Sequence, residues 1–186
     1  MRVVVAGALL ALTLGVSSCS QDPGETVTNT TVAGAAERDR SVTATQLLET
    51  TRWPAEFDLV PLSPTALRQL QNSILGDVEL ARSVSDVAAA GLMREAKAFG
   101  AVLLIGVADP VVGNMSFVEG LRQAVFDEPS SSRWGPLVGW ISSSNGEILA
   151  MLPIGPVIVF ATTESRTDLD LVLIPLVERF IDYSAN

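Results

Sequence analysis

Leu137-Val138-Gly139-Trp140-Ile141 leads through serines to Asn145-Gly146. The chain returns over Glu147 to Leu152, turns at Pro153-Ile154-Gly155-Pro156, and continues as Val157-Ile158-Val159-Phe160-Ala161. Asn-Gly favours the left-handed backbone of a tight hairpin turn, and the flanking runs are rich in β-branched and aromatic residues. The stretch therefore reads as a three-stranded antiparallel meander. It is the strongest tertiary inference that the chain offers.

Outward from the meander, the period becomes helical. Thr167 to Tyr183 places Leu169, Val172, Leu173, Leu176, Val177 and Phe180 on one side of a helix. Pro175 removes one helical hydrogen bond and crowds the preceding turn. A kinked helix is expected; the alternative is a helix that starts near Pro175, with 170–174 extended. Upstream, Ser116-Phe117-Val118-Glu119 has the form of a capping box. Its helix would carry Phe117, Leu121, Ala124 and Val125 on one side and end before Pro129. Ala101-Val102-Leu103-Leu104-Ile105-Gly106-Val107 is a continuous apolar run between Gly100 and Asp109-Pro110, as a strand buried on both faces requires. Ser85-Asp86 is read as the start of a helix that carries Val87, Ala90, Met93, Ala96 and Lys97 and closes at Phe99-Gly100. Ser63-Pro64 supplies the N-cap and first-turn types of another helix, with Leu67, Leu70 and Ile74 at helical spacing and Gly76 as its stop. These elements predict a single α+β domain over 46–186. It would have four or five mostly antiparallel strands in one sheet, helices packed on one face and a C-terminal helix.

Residues 19–45 differ in composition. After Cys19 they contain no aromatic residue and no large apolar cluster, so they cannot offset their own backbone entropy by burial. They read as a tether of roughly 25–30 Å root-mean-square reach. Before it, Arg2 is followed by the small and apolar run Val3 to Val16, then Ser17-Ser18-Cys19. That run is shorter than the ~20 residues of a bilayer-spanning helix and suits the core of a signal peptide. The arrangement resembles the lipobox of bacterial lipoprotein signal peptides, with Val16 where Leu is usual. The resemblance implies removal of residues 1–18, diacylglycerol on the Cys19 sulfur, and a protein anchored on the outer side of the cell membrane without spanning it. Arg outnumbers Lys 11 to 1, which resembles the usage of GC-rich actinobacterial genomes. Cys19 is the only cysteine, so no disulfide can form within the chain.

The formal charge of −9 argues against nucleic acid, which needs a basic footprint. Absence of histidine removes the usual general base and the usual transition-metal ligand. Neither a GxxxxGK[ST] nor a GxGxxG loop occurs, nor a calcium-loop pattern, so no cofactor or metal is expected. The carboxylates Asp168 and Asp170 read as complements to a helix dipole. The candidate binding residues are few. Asp109 follows the best buried strand, where α/β proteins often place ligand contacts. Asn114 stands in the loop before a helix. Arg133 and Trp134 sit in a serine-rich stretch read as a loop; an exposed Trp134 beside Arg133 would be a binding anchor, but a ring of that size favours a place in the core or its cover. The expected role is a membrane-anchored, non-enzymatic protein-interaction module with an envelope protein as partner. The alternatives are a carrier of lipid or another apolar ligand, which needs a cavity of several hundred Å³, and a carboxylate-dependent hydrolase of envelope glycans.

The lipobox reading makes one direct prediction. Cys19→Ala should abolish incorporation of labelled palmitate and release the protein from the membrane fraction, with the domain still folded. Retained label in the variant would contradict it.

Overall fold

The computed structural model describes residues 42–75, 83–108 and 115–185. In chain order the elements are α1 (Ala44–Thr50), β1 (Asp58–Pro61), α2 (Pro64–Leu75), β2 (Val84–Arg94), β3 (Lys97–Val107), α3 (Met115–Val125), β4 (Ser130–Trp134), β5 (Leu137–Ser144), β6 (Glu147–Ile154), β7 (Val157–Thr163) and α4 (Arg166–Ala185). The strands form one antiparallel 7-stranded sheet in the order β1-β2-β3-β7-β6-β5-β4. The class is therefore α+β, with more strands than the four or five expected. The meander is present as β5-β6-β7, with Asn145 and Gly146 both at positive φ in its first turn and Gly155 at φ 55 in its second.

The sheet is covered on both faces rather than one. Val102 and Leu104 of β3 with Val157, Val159 and Ala161 of β7 pack against Ala44 and Leu47 of α1 and against Leu169, Val172, Leu173, Leu176 and Val177 of α4. Leu103, Ile105, Ile158 and Phe160 point the other way, against Leu70 of α2 and Val118 and Leu121 of α3. Every residue of β7 is buried. A strand apolar on both sides leaves a second face that must also be removed from water, each buried Leu, Ile or Val being worth about 1.5–3 kcal/mol. The core takes in Val42 and Ala44, on the tether side of the 45/46 composition boundary.

The largest departure from expectation is Ser85 to Gly100. It is not a helix but the hairpin of β2 and β3. Val87, Ala90 and Met93 match a helical spacing only because almost the whole run Val87–Leu92 is buried, so period carries no information there. Alanine's helix propensity is overridden by packing: Ala88 and Ala90 lie in the cluster that holds α1. The turn has neither Gly nor Asn. Glu95 and Ala96 take φ 51 and 63, so the usual hairpin signal is missing and the side chains bear the strain. Lys97 accordingly begins β3 rather than sitting within a helix. A register shift at Leu92/Met93 leaves Phe99 as the extra residue of a bulge, which turns it to the face that carries α4.

Three local readings are also revised. Ser130 to Trp134 is the strand β4, not a loop, and Gly135-Pro136 closes its hairpin with β5 as Gly155-Pro156 closes that of β6 and β7. Ser116 lies inside helix α3 rather than ahead of it, and the Glu119 carboxylate accepts from Arg122 Nε and Gln123 Nε2. Ala124 is exposed while Val118 is buried. By contrast α2 opens as its sequence signals require, with Ser63 Oγ accepting from the Ala66 N–H at 3.2 Å; Gly76, read as its stop, lies outside the described residues. Helix α4 runs unbroken through Pro175, so the reading that starts it near Pro175 falls. Helix α1 was not anticipated. Its start is a capping box between Thr43 and Gln46. The Asp86 carboxylate accepts from the N–H groups of Ala44 and Thr45 at 3.2 and 2.9 Å.

Ala96→Gly should stabilise the protein by about 1 kcal/mol, the order of the penalty on a left-handed L-residue. A raised midpoint in chemical denaturation with unchanged slope would show it. A loss of stability would mean that the turn is not held at positive φ.

Candidate functional site

Among the described residues the sheet ends in two unlike edges. β1 is 4 residues long and ends in Pro61, which has no N–H to offer. Proline is an ordinary guard against pairing with another chain. β4 is Ser130-Ser131-Ser132-Arg133-Trp134, pairs with β5 without any register shift, and contains no proline. Trp134 and Leu137 close the hairpin, so they form a hydrogen-bonded pair. Pair types alternate along the ladder. Ser132 and Ser130 are thus also bonded to β5, while the N–H and C=O groups of Ser131 and Arg133 point away from it.

This edge is held firmly from one face. Trp134 is 2% exposed, and its indole N–H donates to Asp170 Oδ1 on α4 at 2.8 Å. Arg166 Nε donates to the same carboxylate oxygen at 3.0 Å, and its guanidinium lies 4.7 Å above the indole. An indole donor, a carboxylate and a stacked guanidinium together fix the ring more tightly than either pair alone. Trp134 is therefore not an exposed anchor; burial of its large ring against α4 wins over display. Arg133, one residue earlier, points to the opposite face and is exposed. Its β5 neighbour Val138 is 44% exposed. On that same face Trp140 stands opposite Ser131, with Arg122 at 5.9 Å from its ring. The sequence thus located Arg133 and Trp134 but not the strand that separates their roles. Asp109, Asn114 and Cys19 lie outside the described residues.

A second charged cluster lies far from β4, at the other flank of α4. Arg94 Nη2 donates to Asp168 Oδ1 at 2.7 Å, and the guanidinium sits 5.0 and 4.7 Å from the rings of Phe57 and Phe99. Ser165 Oγ accepts from the Asp168 N–H at 3.1 Å and donates to Asp168 Oδ2 at 2.6 Å. Burial pushes the Asp168 carboxyl up, but hydrogen bonds from Ser165 and Arg94 outweigh it and hold its pKa below the ordinary value. On α3, hydrogen bonds from Arg122 and then Gln123 lower the Glu119 pKa to about 2. Among the described residues no group of His, Cys, Asp and Glu could hold a metal ion. No described helix is long and apolar enough to cross a membrane.

No family model and no curated protein matches this chain. Among solved structures, it is similar to a GTP binding regulator from Thermotoga maritima, at 9% identity and a TM-score of 0.42, over 77% of this chain and 90% of that one.

The Asp168 cluster predicts a pH effect. A carboxylate with a depressed folded pKa stabilises the fold above its unfolded pKa, and that stabilisation is lost as pH falls through the folded value. Wild type should lose stability as pH drops below about 4. Asp168→Asn should be less stable at pH 7 and show a shallower fall in this acid range. Parallel wild-type and variant curves from thermal melts between pH 2 and 7 would contradict the assignment.

Proposed function

We propose that this protein is a cell-envelope lipoprotein, anchored through Cys19, whose α+β domain is a non-enzymatic protein-interaction module that engages its partner along β4. The observation that carries the reading is the contrast between the edges. β1 ends in a proline, whereas β4 is unbulged and tied to α4 through Trp134, with the Ser131 and Arg133 backbone groups directed outward. A clamped edge of this kind is ready for strand addition, where main-chain hydrogen bonds supply affinity and neighbouring side chains supply selectivity. Arg133, Val138 and the half-buried Trp140 are those neighbours on one face.

The state of the carboxylates supports a binding role over glycan hydrolysis. A glycosidase's general acid needs a raised pKa. Asp168 and Glu119 are both shifted downward by arginine and by hydrogen-bond donors, and Asp170 is engaged by Trp134 and Arg166. The lipid-carrier reading draws no comparable support: large apolar side chains of both sheet faces, among them Leu103, Leu104, Ile154 and Phe160, are fully buried against helices and neighbouring strands.

A photoreactive amino acid placed at Ser131 or Arg133 of the full chain, in the native envelope, should give discrete protein adducts. The same group at Thr65, exposed on α2, should give none. Equal labelling at all three positions, or none at any, would refute the β4 reading.

A further inference from the structure

We infer that the partner which β4 accepts is a second copy of this chain, added strand to strand about a two-fold axis at Ser132. The inference rests on the β4 interaction reading and names its occupant.

The register follows from the outward groups. An antiparallel strand added to β4 must meet Ser131 and Arg133 with residues whose own N–H and C=O groups point outward. In a second β4 those residues are again Ser131 and Arg133. A two-fold axis at Ser132 pairs Ser131 with Arg133 of the other copy, and Arg133 with its Ser131, so both pairs are hydrogen-bonded. Shifting the axis to Ser131 would set Arg133 against Pro129, which has no N–H. Shifting it to Arg133 would set Ser131 against Gly135, in the turn. At the Ser132 axis each Arg133 lies beside a serine rather than another arginine, so like charges are not placed directly opposite.

The surroundings of the edge fit this symmetry. Among the described residues, the exposed large apolar side chains are Val138, Ile174, Ile181 and Tyr183. Val138 borders β4 on one face, opposite Arg133. Ile174 stands one turn after Asp170, the residue that reaches Trp134 on β4, and Ile181 follows two turns later. Asp168 and Arg179, which reach Arg94 of β2 and Thr50 of α1, mark the opposite flank of α4. Ile174 and Ile181 thus line the flank of α4 turned to the open edge. Directly paired residues in a sheet share a face, so the two α4 helices would lie on one side of the joined sheet, with these flanks toward each other. Both α1 helices would lie on that side as well.

Ser132 sits at the axis as a non-hydrogen-bonded pair with its own copy, where Cα atoms approach to about 4.5 Å. That is within disulfide range. The full chain, with Cys19 retained, would carry Ser132→Cys or Ser130→Cys in its native membrane and be oxidised with copper phenanthroline. Non-reducing gels against wild type should show a band at twice the mass for S132C, roughly tenfold stronger than for S130C. Adding Ser131→Pro, which removes an outward N–H while leaving the hydrogen bonds to β5 in place, should cut that band by roughly tenfold, with yield and far-ultraviolet circular dichroism unchanged. A dimer band no stronger for S132C than for S130C would overturn the proposal. A S132C adduct with a different protein in place of the dimer would reject the second copy and leave the interaction reading standing. Failure at S132C together with no photo-adduct at Ser131 or Arg133 would reject both.

Discussion

Burial of β3 and β7 on both faces is the constraint on which the rest of this structure depends. Leu103 and Phe160 point to one side, Leu104 and Val159 to the other, and all four are fully buried. A sheet centre of that kind cannot have one face in water. It requires α1 and α4 on one side and α2 and α3 on the other. The edge strands carry less of the core: β1 and β4 are short and partly exposed, with Leu59 packed against the core and Trp134 buried within it.

Charge is used to fasten the covering helices. α4 is tied to β2 at one flank by Arg94 and Asp168, and to β4 at the other by Asp170, Trp134 and Arg166. In both places a guanidinium lies against aromatic rings as well as a carboxylate. Among the described residues, the edge strand β4 is thereby bound to the longest helix. α1 is fastened in a different way. The Asp86 carboxylate meets the first N–H groups of that short helix, where negative charge is favoured, and Val42 and Leu47 insert beside it into the core.

The parts of this fold legible in the sequence are those where backbone chemistry and burial agree. Asn145-Gly146 and Gly155-Pro156 mark turns that the adjoining β-branched runs confirm, and Ser63-Pro64 opens a helix with an apolar stripe. The β2-β3 hairpin was illegible for two physical reasons. Its alanines are small enough to be buried on either face and prefer helices when isolated, and its turn places Glu95 and Ala96 in a conformation normally left to Gly or Asn. The second layer of helices is not legible when β7 is read only as one apolar strand, because Ile158 and Phe160 line the face opposite Val157, Val159 and Ala161. At the candidate site, Arg133 and Trp134 stood out by type, yet their opposite orientations follow from strand parity, which a loop assignment hides. A repeated Gly-Pro at 135–136 and 155–156 was the available signal. The pairing of Trp134 with Asp170 spans 36 residues, and no local pattern reports it.

The central claim is that β4 is held inside the domain by alternate residues and left open by the others. Residue-resolved amide hydrogen exchange on the full-length protein, measured over a dilution series in detergent, tests it directly. Ser132 and Trp134 should exchange slowly at every concentration. Ser131 and Arg133 should exchange rapidly when dilute and become protected as concentration rises. Uniformly fast exchange along Ser130–Trp134 would contradict the clamp, and slow exchange of Ser131 and Arg133 at all dilutions would contradict the open edge.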